Sequence, residues 1–225
     1  VDMSKNISKE LFSLDQSLLG DRIKECNYPW EILPRIGEYI IELGEKLPAD
    51  KYDQIKDYVW VAKNAKISDS ADITGPCIIG ENTEVRHCAF IRGKALIGNN
   101  CVVGNSTELK NVILFNNVQV PHYNYVGDSI LGYGSHMGAG SITSNVRSDK
   151  KLITVKLPEG NVETGMKKIG AILGDNVEIG CGSVLNPGTI IGKDTQVYPL
   201  SSVRGCVDSN SIYKNQNEIV EKDLR

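Results

Sequence analysis

Val61-Ala62-Lys63-Asn64-Ala65-Lys66-Ile67-Ser68-Asp69-Ser70-Ala71-Asp72-Ile73 opens a run in which every sixth residue is large and apolar. The series continues through Ile79, Val85, Ile91, Ile97, Val103, Leu109 and Phe115. A second series holds Leu173, Ile179, Leu185, Ile191, Val197 and Val203, and Leu131 and Met137 fall in phase with it. Four residues after each of the first large ones stands a small one: Ala65, Ala71, Cys77, Thr83, Ala89, Ala95, Cys101 and Thr107. That residue lies two before the next large one, so on a strand both face the same side. Glycine follows the large residue at 80, 98, 104, 132, 138, 174, 180 and 192, which predicts a sharp bend after each short strand. A period of six fits neither an α-helix nor the turn spacing of a β-sandwich. Three six-residue sides close one coil, and stacked coils pair at roughly 4.8 Å. The expected fold is an all-β solenoid, a parallel β-helix.

Working outward, 1–58 reads as a helical N-terminal extension, 59–206 as the β-helix and 207–225 as a C-terminal tail. Helices are expected over 8–25 and 29–47. In the second, Leu33, Ile36, Ile40, Leu43 and Leu47 form an apolar stripe, Pro29 opens the helix and Pro48 stops it. An open solenoid end exposes unpaired backbone, so the stripe is expected to cap that end or to pack on a neighbouring chain. The phase breaks between Phe115 and Leu131, and again over 145–170. The second break reads as a β-hairpin insertion: Leu152 to Leu157 alternates, and Pro158-Glu159-Gly160-Asn161 is turn chemistry. The polar tail is expected to form a short surface helix.

The bulk numbers exclude several classes of function. A net charge of −3, without a long basic block, points away from nucleic acid and anionic membrane as partners. No run is long enough to span a bilayer, and the first residues lack the order of a signal peptide. The six cysteines contain no CxxC pair and read as reduced thiols. Together these predict a cytoplasmic protein.

Of three histidines, His87, His122 and His136, the second sits inside the first phase break, in Pro121-His122-Tyr123-Asn124-Tyr125-Val126-Gly127-Asp128. A repeat that abandons its own rule marks a candidate functional site, although a hydrogen-bonded loop histidine would look the same. Three segments carry a family resemblance: Gly104-Asn105-Ser106-Thr107-Glu108-Leu109-Lys110, His122 through Asp128, and Gly138-Ala139-Gly140-Ser141-Ile142-Thr143-Ser144-Asn145. Their order resembles the glucosamine-1-phosphate N-acetyltransferase domain of bifunctional UDP-N-acetylglucosamine pyrophosphorylases. Lys167-Lys168-Ile169-Gly170-Ala171 is similar to the archaeal sugar-1-phosphate nucleotidylyltransferase branch of that family.

The resemblance implies a left-handed β-helix, a homotrimer, acetyl-CoA as donor and an amino sugar phosphate or nucleotide amino sugar as acceptor, with no metal. By position it implies His122 as general base and Ala139 as a backbone N–H beside the reacting thioester. It implies Tyr125, Asn145 and Lys151 as sugar contacts and Arg92 and Lys110 as phosphate contacts. Cys181, Tyr198 and Pro199 fall on the coenzyme A side. Lys150 competes with Lys151 for one role, and Arg92 and Lys110 could equally be solvated charges. Two departures stand out. His136 replaces an asparagine usual in the family's sugar pocket, and helical residues with no glycine-rich phosphate loop stand in place of the nucleotide-binding domain. Pyrophosphorylase activity is therefore not expected of this chain.

An amine attacks a thioester only when neutral, and an imidazole with an ordinary pKa of about 6.5 can take its proton as the bond forms. A backbone N–H then stabilises the oxyanion. Two rival readings use the same fold: a metal site like that of γ-class carbonic anhydrases, built by three histidines between subunits, and a non-catalytic β-helix binding or assembly protein.

Overall fold

The computed structural model describes residues 7–222. The first residues of the 1–58 extension and the last of the 207–225 tail lie outside them. The chain winds as a left-handed parallel β-helix whose coils present three faces. The first face stacks the strands Val59–Ala62, Cys77–Ile79 and Ala95–Ile97, the end of Glu108–Leu114, the end of Tyr125–Leu131, then Ala171–Leu173, Thr189–Ile191 and Cys206–Val207. The second face carries Val102–Asn105, Gln119–His122, His136–Met137 and Glu178–Ile179. The third carries Phe90–Ile91, the starts of the two seven-residue strands, Ile142–Thr143 and Val184–Leu185.

Large hexad residues point inward, and Ile79, Ile91, Ile97, Val103 and Leu109 are fully buried. The first face is apolar on its outer side as well: Trp60, Ile78, Leu96, Ile113, Ile130, Ile172 and Ile190 are all buried. This second column explains the three-residue apolar runs Cys77-Ile78-Ile79 and Ala171-Ile172-Leu173. Each such side chain contributes about 1.5–3 kcal/mol by leaving water.

The helical segment supplies the cover. It lies along the first face and does not cap the end of the solenoid, as the stripe had suggested. Phe12 stacks on Phe115 with ring centroids 5.0 Å apart. Helix α3 (Ile36–Gly44) packs on the strands at 77–79, 95–97 and 108–114. Asp175, buried, fixes the segment by accepting from the Ser13 N–H and Oγ, both at 2.7 Å.

The two long helices expected from the sequence are broken into α1 (Ile7–Leu11), α2 (Gly20–Glu25), α3 and two 3₁₀ turns, Leu14–Gln16 and Pro29–Arg35. The causes are local. Ser13 bonds to Asp175 where a helix would continue, and Pro29 and Pro34 lack the N–H groups an α-helix needs.

Antiparallel hairpins close both solenoid ends. Tyr52–Lys56 pairs with Val59–Ala62, and Ser211–Asn215 pairs with Glu218–Glu221. The polar tail is thus a hairpin and not the expected helix. Its strand Ser211–Asn215 satisfies the last second-face strand, Gln196–Val197, and buries Tyr213. The insertion is a two-stranded hairpin, Thr154–Leu157 with Gly160–Glu163.

The repeat glycines also act differently from expectation. Gly104 and Gly180 do not take positive φ. A Cβ on Gly104 would strike the Pro121 carbonyl of the next coil, and one on Gly180 would strike the Pro199 backbone. They are required by close approach of neighbouring coils.

Candidate active site

The strand register locates the irregularity that the sequence assigned to the whole stretch between Phe115 and Leu131. Cys77 pairs with Ala95, one 18-residue coil on, but Ala95 pairs with Val112 and Val112 with Ser129, 17 residues on. The inward residue is therefore Leu114, whose neighbour Phe115 packs against the helical segment. One residue is missing at each of two stacked corners, Lys110-Asn111 and Gly127-Asp128. Asn111 and Asp128 turn these corners at φ 54° and 50°. The His122 corner itself keeps the six-residue step from Val120 to Val126, both buried. The irregular corners carry Lys110 and adjoin Tyr125 and Asn145, three of the residues that the resemblance implied as acceptor contacts.

Asp128 is where the hydrogen bonds of these corners converge. Its carboxylate is buried and accepts from Lys110 Nζ at 3.1 and 3.2 Å, Asn111 Nδ2 at 2.9 Å and Asn145 Nδ2 at 2.6 Å. Asn145 also donates to Tyr125 Oη at 3.2 Å. Gly127 leaves the space that the Tyr125 hydroxyl occupies. Burial raises the Tyr125 phenol above its usual pKa, with the Asp128 charge adding to the shift and the Asn145 hydrogen bond opposing it. Arg92 is one coil from Lys110, because Ile91 pairs with Leu109. It is engaged by Glu108 at 2.7 Å, and that carboxylate raises its pKa further. Both expected phosphate cations thus have carboxylate partners in this structure. The sequence reading gave no role to Asp128 or Glu108.

His122 lies on the corner between the second and third faces. Its backbone N–H bonds Asn124 Oδ1 at 3.1 Å, and buried Asn124 ties the turn to Gly138 and Ser141. The ring is exposed and makes no hydrogen bond among the described residues. The register continues down one column from His122 to Ala139, Cys181 and Pro199. Ala139 is exposed and accepts from Gly182 N at 2.9 Å. Cys181 is exposed, Tyr198 is 46% exposed, and Pro199 is exposed. Lys151 makes no side-chain hydrogen bond or ion pair among the described residues, and its backbone N–H bonds Asp149 Oδ1.

The histidines do not gather. His136 bonds Glu178 Oε2 at 2.8 Å on the second face. Asn105 separates His87 from His122, which puts them two coils, roughly 10 Å, apart. Two imidazoles share one zinc ion only within about 4 Å of each other, so a single chain does not assemble the rival metal site from these residues.

Residues 73–155 match the GMPPB C-terminal domain family. The bifunctional protein GlmU of Methanococcus maripaludis is 31% identical over 214 residues, covering 87% of this chain and 48% of the relative. The chain thus spans about half the length of that curated relative. The uncharacterized acetyltransferase YaiX of Escherichia coli is 31% identical over 191 residues, which cover 74% of this chain and 83% of the relative. The chain belongs to the hexapeptide-repeat acetyltransferases. A solved hexapeptide transferase family protein from Anaplasma phagocytophilum is 16% identical with a TM-score of 0.49, covering 74% of this chain and 81% of that one. Among the described residues no helix is long and apolar enough to cross a membrane.

Proposed function

We propose that the chain transfers an acetyl group from acetyl-CoA to the amine of an amino sugar phosphate or nucleotide amino sugar, without metal and without pyrophosphorylase chemistry in this stretch. The observation that carries the reading is the single column His122, Ala139, Cys181 and Pro199, one corner away from the Asp128 cluster. A column at roughly 4.8 Å per coil gives an extended thioester a track that ends beside an imidazole. Family membership and the ordered motifs from Gly104 to Asn145 support the same assignment.

In this reading the acceptor nitrogen attacks the thioester carbonyl carbon while His122 takes its proton. The oxyanion faces the Ala139 N–H. The C–S bond then breaks, and the thiolate leaves with the proton returned by the imidazolium. Arg92 and Lys110 exchange part of their carboxylate pairing for acceptor phosphate, and Tyr125 and Asn145 orient the sugar. Lys151 adds a sugar contact. Cys181, Tyr198 and Pro199 line the pantetheine track.

The exposed His122 ring, lacking an orienting partner among the described residues, supports a homotrimer in which a neighbour completes the cleft in the cytoplasm. The testing experiment combines light scattering with a thiol-release assay over a panel of amino sugar phosphates and nucleotide amino sugars. A trimer that releases thiol with at least one acceptor is expected. A stable monomer with no turnover on any of them contradicts the proposal.

A further inference from the structure

A cleft of about 520 Å³, away from His122, opens between the hairpin insertion and the third-face corners. Its cations are Arg147 and Lys150 from the loop before the hairpin, Lys156 from the first hairpin strand, and Arg204 from the corner below Asn186. The only carboxylate lining it is Asp149, which Arg147 engages at 2.6 and 2.9 Å. Lys150, Lys156 and Arg204 make no ion pair among the described residues. Four cations against one anion concentrate positive charge in a chain whose net charge is −3. The arrangement is held in place. Ile153, Val155 and Leu157 are buried, and Gly188 passes so close to Ile153 and Val155 that a side chain there would crowd them.

We propose that this cleft binds the phosphate groups of a nucleotide, at a subsite distinct from the Arg92–Lys110 pair. Three unpaired cations on a docked hairpin and an adjacent coil match the charge of a diphosphate, and guanidinium binds phosphate oxygens in pairs. The size falls within the roughly 300–1,000 Å³ of small-molecule sites. The inference stands on charge and shape and does not require the acetyl-transfer reading. Two nucleotides fit the chemistry: the phosphate-bearing end of coenzyme A, and the nucleotide of an activated sugar acceptor.

The test is calorimetry on the whole chain with coenzyme A, dephospho-coenzyme A, UDP and inorganic pyrophosphate. Wild type is compared with the Lys156→Glu/Arg204→Glu double variant, and with Lys156→Ser and Arg204→Ser singly should the double variant fail to fold. At least one nucleotide should bind wild type in a salt-sensitive way and lose about tenfold affinity per cation removed. Loss confined to coenzyme A assigns the subsite to the donor, and loss of UDP binding assigns it to the acceptor. Equal binding to wild type and variants, or no binding of any probe by wild type, overturns the proposal. A protein that binds nucleotide through Lys156 and Arg204 yet transfers no acetyl group keeps this site and removes the proposed function. One that transfers acetyl while the variants bind normally does the reverse.

Discussion

Replacing Asp128 by alanine is the sharpest perturbation of the proposed acceptor side. The carboxylate is buried and holds Lys110, Asn111 and Asn145 at 2.6–3.2 Å. A hydrogen bond to a charged group is worth about 1.5–3 kcal/mol, and breaking a buried ion pair costs about 3–5 kcal/mol. The Lys110 side chain is 26% exposed, so water recovers part of its loss. The net expectation is about 3–4 kcal/mol. At about 2–4 °C per kcal/mol for a chain of this length, the melting temperature falls by about 6–16 °C. Asp128→Asn keeps the volume but turns one donor toward the Asn111 or Asn145 amide, and should fall between the alanine variant and wild type. Lys110, Asn145 and, through Asn145, Tyr125 lose their alignment, so the acceptor KM should rise more than kcat falls. The assay is a melting curve paired with acceptor titration. Asp149→Asn serves as control, because its pair with Arg147 is exposed and its loss should leave melting unchanged. An Asp128→Ala variant with wild-type melting and wild-type acceptor KM would refute the assignment of Asp128 as the positioning residue.

Other consequences follow from packing and burial. Phe12→Ala removes the stack on Phe115 and should cost about 3–5 kcal/mol, read by denaturant unfolding, if the helical segment truly covers the first face. Gly104→Ala should destabilise the chain clearly on the same assay, because its Cβ meets the Pro121 carbonyl. Among the thiols, burial pushes Cys77 and Cys101 up to about 12, and burial with Glu159 and Asp208 nearby does the same to Cys206. In native protein at pH 8 these three should resist alkylation while exposed Cys88 and Cys181 label, with acetyl-CoA protecting Cys181 and not Cys88, as followed by mass spectrometry.

Much of the fold was legible because its determinant is periodic. The large residues from Val61 to Leu109 and the small row from Cys77 to Thr107 state the inward face directly. The outer apolar column, Ile78 through Ile190, was missed because one face in three departs from the others, and a six-residue count averages over faces. That omission sent the helical stripe to the wrong place. The tail was misread because composition does not show that a last strand needs an edge partner, which Ser211–Asn215 provides. At the site, His122 and its column follow from motif order. The seventeen-residue coils at Lys110-Asn111 and Gly127-Asp128 became visible only through strand register. Asp128 escaped because a lone acid in a polar turn carries no burial signal in sequence.

The central claim is that His122 removes the proton from an attacking amine at the top of the column it shares with Ala139 and Cys181. The most direct measurement is thiol release by His122→Ala, with acetyl-CoA affinity measured in parallel on an acceptor that wild type uses. The account predicts turnover reduced by about 10²–10⁴ with acetyl-CoA affinity essentially retained. A variant that turns over at the wild-type rate would contradict it.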